Sequence, residues 1–406
     1  MALLPVDEAL EKLLSTIDTL SSEMVALNDA AGRVLSAPIT ARLTQPPFNP
    51  SAMDGYACHA SDLTTLPCRL KLVGEAAAGH SFDKAVKQGE AIRIFTGAPV
   101  PDDLDCVVIQ EDTNRIDEET VEILNAPTGN RNIRKKGGDF TAGEVILEKG
   151  HCLTPASLAL CAAAGHAEVP VIKRPKIAIL STGDELVAAG NLPQPNQIVA
   201  SNAHGLYAIV QNCGVDVVDL GIAKDNKPAI KAALQKAKEQ NVDLILTSGG
   251  VSVGDYDLVQ TVLKEEGMTL NFWKIALRPG KPLMYGKLPQ GTLVIGLPGN
   301  PASSLTTCHI FVVPVLKKLS GLFYQPNIQK AKLTAPLKAN GTRRHYIAGK
   351  MEKTNDNSSQ VTPVTSFDSS LLKTMAYSNC MIIHYEDAQA LAIGDECDIL
   401  IPEHGV

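Results

Sequence analysis

Apolar residues recur at helical spacing near the start of the chain, at Val6, Leu10, Leu13, Leu14 and Ile17. Asp7 and Glu8 fall where a helix N-terminus favours acid. A second helix is predicted after Thr154, where Pro155 suits the first turn and an apolar run follows over 158–164. Between these two helices, from about 46 to 141, short β-like runs alternate with turn signals. The clearest runs are 91–95, 106–109 and 121–124, with glycine and proline between them. The pattern predicts a split helical domain, residues 1–45 and 142–174, carrying an inserted β-rich module at 46–141.

The pattern changes after Pro175. A continuous apolar strand at 176–180 runs into Ser181-Thr182-Gly183-Asp184-Glu185, and Ser201 is placed to cap a helix reaching Val210. A strand at 215–220 precedes a helix at 228–239 with Ile230, Ala233, Leu234 and Ala237 on one face. Another buried strand, 242–247, leads into Ser248-Gly249-Gly250-Val251-Ser252-Val253-Gly254 and a helix from about Asp257. The strand 292–296 ends in Leu297-Pro298-Gly299-Asn300-Pro301, where Asn300 is placed to cap a helix opened by Pro301. Buried strands alternating with amphipathic helices predict a doubly wound parallel-sheet domain over 175–324. From 325 to 406 short strands return at 347–351, 381–384 and 397–401, as in a small β-barrel or sandwich. The fold class read from the chain is multidomain α/β plus β.

Composition narrows the function classes. A chain of 406 residues exceeds one compact core, so two to four domains are expected. Aromatic residues at 4%, with Trp273 the single tryptophan, leave little for stacking bases, and a net charge of −7 argues against nucleic acid and anionic membrane surfaces. Arg131, Arg134, Lys135 and Lys136 form one local basic cluster that suits either an anion site or a solvated loop. The longest apolar run, 305–316, is broken by His309 and Pro314 and falls short of the roughly 18 residues of a membrane span. Asp7 and Glu8 stand where a signal peptide carries positive charge. Nine scattered cysteines without Cys-x-x-Cys spacing disfavour zinc and disulfide frameworks. These features lead to the expectation of a soluble cytoplasmic protein.

Open parallel sheets bind ligands beyond the carboxyl ends of their strands, where strand order reverses. Three predicted loops leave such ends: 181–185, 248–254 and 297–301. Ser248, Gly249, Gly250, Ser252 and Gly254, with Pro298, Gly299, Asn300 and Pro301, let backbone N–H groups approach a ligand, and phosphate suits them. A tight turn explains any one loop alone, whereas three on one sheet edge point to a site. Acids accompany them: Asp184, Glu185, Asp225, Asp255 and Asp257. Acids beside an anion site suggest a bridging Mg²⁺, although N-capping is the plainer reading of Asp225 and Asp257. Lys274, Arg278 and Lys281 supply positive charge, the last two on the stiff Arg-Pro-Gly-Lys-Pro turn. The inserted module has its own cluster, in which Asp54, Thr96 and Asp139 each sit in a small-residue turn.

Taken together and in this order, 51–57, 96–99, 181–186, 248–254, 279–282 and 297–301 resemble the MoeA family, the molybdopterin molybdenumtransferases, which includes the gephyrin E domain. The resemblance covers essentially the whole chain. It implies four-part subunits in an elongated homodimer, with a doubly wound domain similar to the molybdopterin adenylyltransferases (MogA-like). In that family adenylylated molybdopterin is hydrolysed in the presence of molybdate and divalent metal, molybdenum going onto the dithiolene while AMP leaves. Carried over by motif, Glu185, Asp225, Asp257, Lys274 and Lys281 would line the cleft from the doubly wound side, and Asp54, Thr96 and Asp139 from the partner subunit. Arg278 and Lys281 would neutralise molybdate or pyrophosphate. Asp225, Asp257 and Glu185 would hold Mg²⁺, and the 249–254 backbone would cradle phosphate. The family often has Lys at the position of Arg278, whose planar fork differs from an ammonium. Asp255 and Asp257 compete for one family position. An upstream adenylyltransferase and molybdoenzyme-maturation proteins are the partners implied.

Three rival readings remain. An adenylyltransferase shares the doubly wound domain but has no need of the Asp54 cluster. A CinA-like nucleotide-handling enzyme would not require 51–57. A scaffold of the gephyrin type would use the C-terminal domain to bind partners.

Overall fold

The computed structural model describes residues 3–129, 131–249, 258–355, 357–364 and 368–403. The chain forms two compact units, one of residues 24–171 and one assembled from 1–23 and 172–406. The strands Ser22–Ala26 and Glu168–Ile172 pair where the chain enters and leaves the first.

In the second unit a six-stranded sheet runs in the order Asp216–Ala223, Lys176–Thr182, Leu244–Ser248, Leu293–Leu297, Pro282–Lys287, Thr269–Lys274. The first four strands are mutually parallel. Pro282–Lys287 runs antiparallel to both of its neighbours, so the sheet is mixed at one side rather than wholly parallel as the apolar runs suggested. The central strand Leu244–Ser248 is buried at every position because apolar clusters cover both faces. The helices Lys227–Glu239 and Leu258–Glu265 pack on one face, with Ile230, Ala237, Val262 and Leu263 fully buried. Asn202–Gln211 and the helical run Pro301–Leu319 cover the other, the latter containing a π turn at Cys308–Val312.

The helix Val6–Ser15 joins this second face. Val6, Ala9 and Leu13 are buried in the cluster that holds Ile177, Ile295 and Leu316, and Leu20 N–H donates to Leu319 O at 3.0 Å. Its apolar stripe therefore belongs with the α/β sheet, not with the segment 24–45 to which the sequence pattern attached it. Arg344 fastens the helix with a two-pronged ion pair to Asp7, at 2.6 and 2.7 Å, which holds the Asp7 carboxyl below its usual range.

After the helical run the chain closes a five-stranded barrel of Ile328–Leu333, Arg344–Lys353, Ser359–Pro363, Cys380–His384 and Glu396–Leu400, the ring completed by pairing of Arg344–Lys353 with Cys380–His384. Closure leaves no open sheet edge.

The first unit is built on another six-stranded sheet, in the order Cys106–Ile109, Gly55–Cys58, Glu90–Ile94, Cys68–Ala76, Thr120–Ile123, Thr113–Arg115. Apolar clusters cover both of its faces. The flanking segments are less helical than their patterning implies, holding one α-helix, Pro155–Ala163, and short strand pairings such as Ile39–Thr40 with Val145–Leu147. Among the described residues no helix is long and apolar enough to cross a membrane.

Candidate active site

Strand order in the α/β sheet reverses between Lys176–Thr182 and Leu244–Ser248. Four carboxyl ends are aligned there, since Thr182 lies in register with Ala223, Ser181 with Ser248, and Ser248 with Leu297. The predicted loops 181–185 and 297–301 and the beginning of 248–254 thus leave one edge side by side. Gly250, Ser252, Gly254, Asp255 and Asp257 lie outside the described residues.

At the reversal the backbone is packed too closely for side chains. Gly249 has φ +93°, and a Cβ there would stand 2.7 Å from Thr182 O. Its N–H donates to Leu297 O at 3.3 Å, and Gly299 lies against its Cα. Thr182 is buried and its Oγ1 has no hydrogen-bond partner among the described residues, a condition native folds rarely leave uncompensated. Asn202, at the start of its helix, donates from Nδ2 to Ser248 Oγ at 3.0 Å and to Gly299 O at 2.7 Å. Asn202 carries no signal of its own in the sequence, where it follows Ser201 as one more polar residue at a helix start.

Acids gather at one side of this edge. Asp225 N–H donates to Asp184 Oδ1 at 3.1 Å, and the Glu185 carboxyl folds back over Gly183 so closely that a Cβ there would lie 2.5 Å from Oε2. Partial burial first, then the charges of Asp184 and Glu185, push the Asp225 carboxyl above its usual range. Asp225 does not cap the next helix; Asn226 does, accepting from Ala229 N–H at 2.9 Å. The capping explanation of Asp225 therefore fails, and its carboxyl stands within the influence of Asp184 and Glu185.

Cations gather at the other side. Lys274 ends its strand opposite Pro282, and Ile275 N–H donates to Lys281 O at 3.0 Å, closing the loop that carries Arg278 and Lys281 on the same edge. Gly280, with φ +111°, rests on the helix Pro301–Thr307 where a Cβ would collide with Thr307 Oγ1. That contact brings the Pro-Gly-Lys-Pro turn to the loop of Pro298, Gly299, Asn300 and Pro301. Asn300 does not use its side chain as a cap; Nδ2 donates instead to Ser369 Oγ at 3.0 Å, tying the loop to a segment near the barrel. Arg278 pairs in register with His345 of the barrel strand. Three to four strand spacings of about 4.8 Å separate the acids from the lysine turn, so this edge spans roughly 14–19 Å from negative to positive.

In the first unit, Asp54 accepts from both Thr96 N–H and Thr96 Oγ1–H, each at 2.7 Å, and these bonds hold its carboxyl below the usual range. Arg93 lies over the rings of Tyr56 and Phe95, at 4.9 and 5.0 Å, and adds to that lowering. Gly97, with φ +83°, makes the turn, and its N–H donates to Ser51 O at 2.9 Å. Asp139 is exposed on a neighbouring segment, where its N–H donates to Gln45 O at 3.1 Å. Asp54 and Thr96 are thus in direct contact, and Asp139 is held separately.

Among the described residues no group of three or more His, Cys, Asp or Glu side chains is arranged to hold a metal ion. A hard cation such as Mg²⁺ needs less from a protein, since it keeps waters and takes one or two carboxylates together with substrate phosphates. The paired Asp184 and Asp225, with Glu185 close by, fit that requirement.

Comparison with known proteins finds similarity along the whole chain. The profile of the MoeA N-terminal region (domain I and II) matches residues 4–165, the probable molybdopterin binding domain matches 178–318, and the MoeA C-terminal region (domain IV) matches 330–401. A molybdopterin molybdenumtransferase of Haemophilus influenzae is 36% identical over 98% of both chains. One from a Nostoc species is 40% identical over 84% of this chain and 79% of its own. The crystal structure of the molybdopterin biosynthesis MoeA protein of Pyrococcus horikoshii superposes with a TM-score of 0.83, at 29% identity, covering 99% of this chain and all of that one. An aligned edge of four strand ends with glycines at its centre, and similarity along its whole length, make this chain a member of the MoeA family of molybdopterin molybdenumtransferases.

Proposed function

We propose that this protein is a molybdopterin molybdenumtransferase of molybdenum cofactor biosynthesis, taking adenylylated molybdopterin and molybdate and releasing AMP as molybdenum passes to the dithiolene. The observation that carries the reading is the polarised edge of the α/β sheet: acids at Asp184, Glu185 and Asp225, a glycine cradle at Gly249 and Gly299, and cations at Lys274, Arg278 and Lys281. Glycine backbone in the cradle lets a phosphate approach closely, and the lysine turn suits a second anion such as molybdate. Asp225 and Glu185, joined by Asp257, would hold Mg²⁺, which when bound neutralises phosphate charge. With the acids so engaged, the protein's own task is to orient the phosphoanhydride and keep molybdate within reach.

We infer further that the protein works as a cytoplasmic homodimer, in which Asp54, Thr96 and Asp139 of one subunit complete the cleft of the other. The division into a split domain, inserted module, doubly wound domain and C-terminal β-domain belongs to the same reading, with the helix Val6–Ser15 counted with the doubly wound domain it packs on. An adenylyltransferase would supply the substrate, and molybdoenzyme-maturation proteins would receive the product.

The test is AMP release from adenylylated molybdopterin, measured anaerobically with Mg²⁺, with and without molybdate. Molybdate-stimulated release, with a product that activates a cofactor-free molybdoenzyme, is the expected result. Binding without release would move the protein to a scaffold role, and formation of the adenylylated compound from molybdopterin and ATP would make it an adenylyltransferase.

A further inference from the structure

We propose that Asn202 is a positioning residue of the substrate cradle, the group that ties Ser248 at the end of its strand to Gly299 just beyond Leu293–Leu297; the inference rests on the transferase reading above. Both protons of its amide are committed, one to Ser248 Oγ at 3.0 Å and one to Gly299 O at 2.7 Å. Because Gly299 O can only accept, the orientation of the amide is settled by its partners.

Among the described residues the two strand ends also meet through the sheet ladder, Ser248 lying in register with Leu297. Gly249 and Gly299 face each other without side chains, and one backbone bond, Gly249 N–H to Leu297 O at 3.3 Å, is long. The amide, by contrast, is mounted on a fixed body. Leu206 and Val210 of its helix are fully buried, and Gly205 lies so close to Leu305 that a Cβ would stand 2.8 Å from Cδ2. Asn202 thus transfers the rigidity of the helix pair to Ser248 and Gly299, where the adjoining glycine backbone has no side chains of its own to brace it. A misplacement of about 1 Å in such a cradle is enough to cost on the order of 100-fold in rate.

Asn202→Ala removes both ties. Asn202→Asp keeps the shape but sets a carboxylate oxygen against Gly299 O beside a site for anions, and Asn202→Ser retains a single donor. The expected order of kcat/KM for AMP release is wild type, then Ser, then Ala, then Asp, with Ala lower than wild type by roughly 10- to 100-fold. Melting temperatures of the Ser and Ala variants should stay close to wild type. A positioning role also requires non-additivity: once Asn202 is Ala, Ser248→Ala should cost no more than about a further twofold. If the Asn202 and Ser248 losses multiply, Asn202 acts on its own, and the positioning role is wrong. Wild-type rates in both Ala and Asp variants would also overturn it. Absence of AMP release from the wild-type protein would remove the transferase reading, and the inference with it, whereas loss confined to the variants leaves that reading standing.

Discussion

At the scale of single residues, burial and neighbouring charge decide what each ionisable group can do. Asp54 and Asp225 are both exposed aspartates, yet they are pushed in opposite directions. Two donors from Thr96 favour the charged form of the first, and partial burial beside two other acids disfavours it in the second. His345 is the most perturbed histidine among the described residues. Its burial in the barrel strand, with Arg278, His384 and Arg343 nearby, pushes its pKa down to about 4 from an ordinary 6.5. Between pH 6.5 and 4 the unfolded chain takes up a proton that the folded chain refuses, so stability falls as pH drops through that window and is unaffected by this group above it. The difference amounts to about 3 kcal/mol at most, from about 1.4 kcal/mol per pKa unit. Urea midpoints measured at pH 7.5 and pH 4.5 should therefore converge in His345→Gln relative to wild type. Equal pH dependence in the two proteins would show that His345 is charged in the fold.

At the scale of elements, the helix Val6–Ser15 illustrates what an amphipathic stripe does and does not say. Leu13 is fully buried, so Leu13→Ala should destabilise the unit of 1–23 and 172–406 by about 3 kcal/mol in urea unfolding followed by circular dichroism. A loss below about 1 kcal/mol would mean that the helix is not part of that core. The stripe was legible because Val6, Leu10, Leu13 and Ile17 repeat at helical spacing. Its destination was not, because periodicity fixes a face and leaves the partner open. The parallel strands were legible for a related reason, since a strand buried on both faces is apolar throughout, as in Leu244–Ser248 and Leu293–Leu297. Thr269–Lys274 escaped notice because Asn271 and Lys274 interrupt its apolar run, and Pro282 obscured the strand it begins. Among the candidate site residues, glycine loops and acids stood out by composition. Asn202 did not, because its importance lies in two hydrogen bonds across 46 and 97 residues of chain.

At the scale of the whole molecule, the acidic cluster of Asp54 and the lysine turn of Lys281 belong to different compact units. If each working site draws one cluster from either subunit of a homodimer, two inactive proteins can repair each other. Asp54→Ala and Lys281→Ala should each abolish AMP release alone, and a mixed, re-equilibrated pair should recover roughly a quarter of wild-type activity, since half of the dimers are hybrids with one intact site of two. A mixture that stays inactive while co-purification of differently tagged subunits shows exchange would place both clusters in one subunit's site. The division of the chain also governs the order in which it becomes a protein. The unit of 24–171 is continuous and is complete once its last residue leaves the ribosome, whereas the first helix packs against Leu316 and bonds through Leu20 to Leu319, nearly 300 residues later. At about 5–20 residues per second, that helix waits on the order of 15–60 s with its apolar stripe bare. The helix Val6–Ser15 is thus housed only long after it is made, and in that interval the nascent chain has a binding stripe to offer a chaperone.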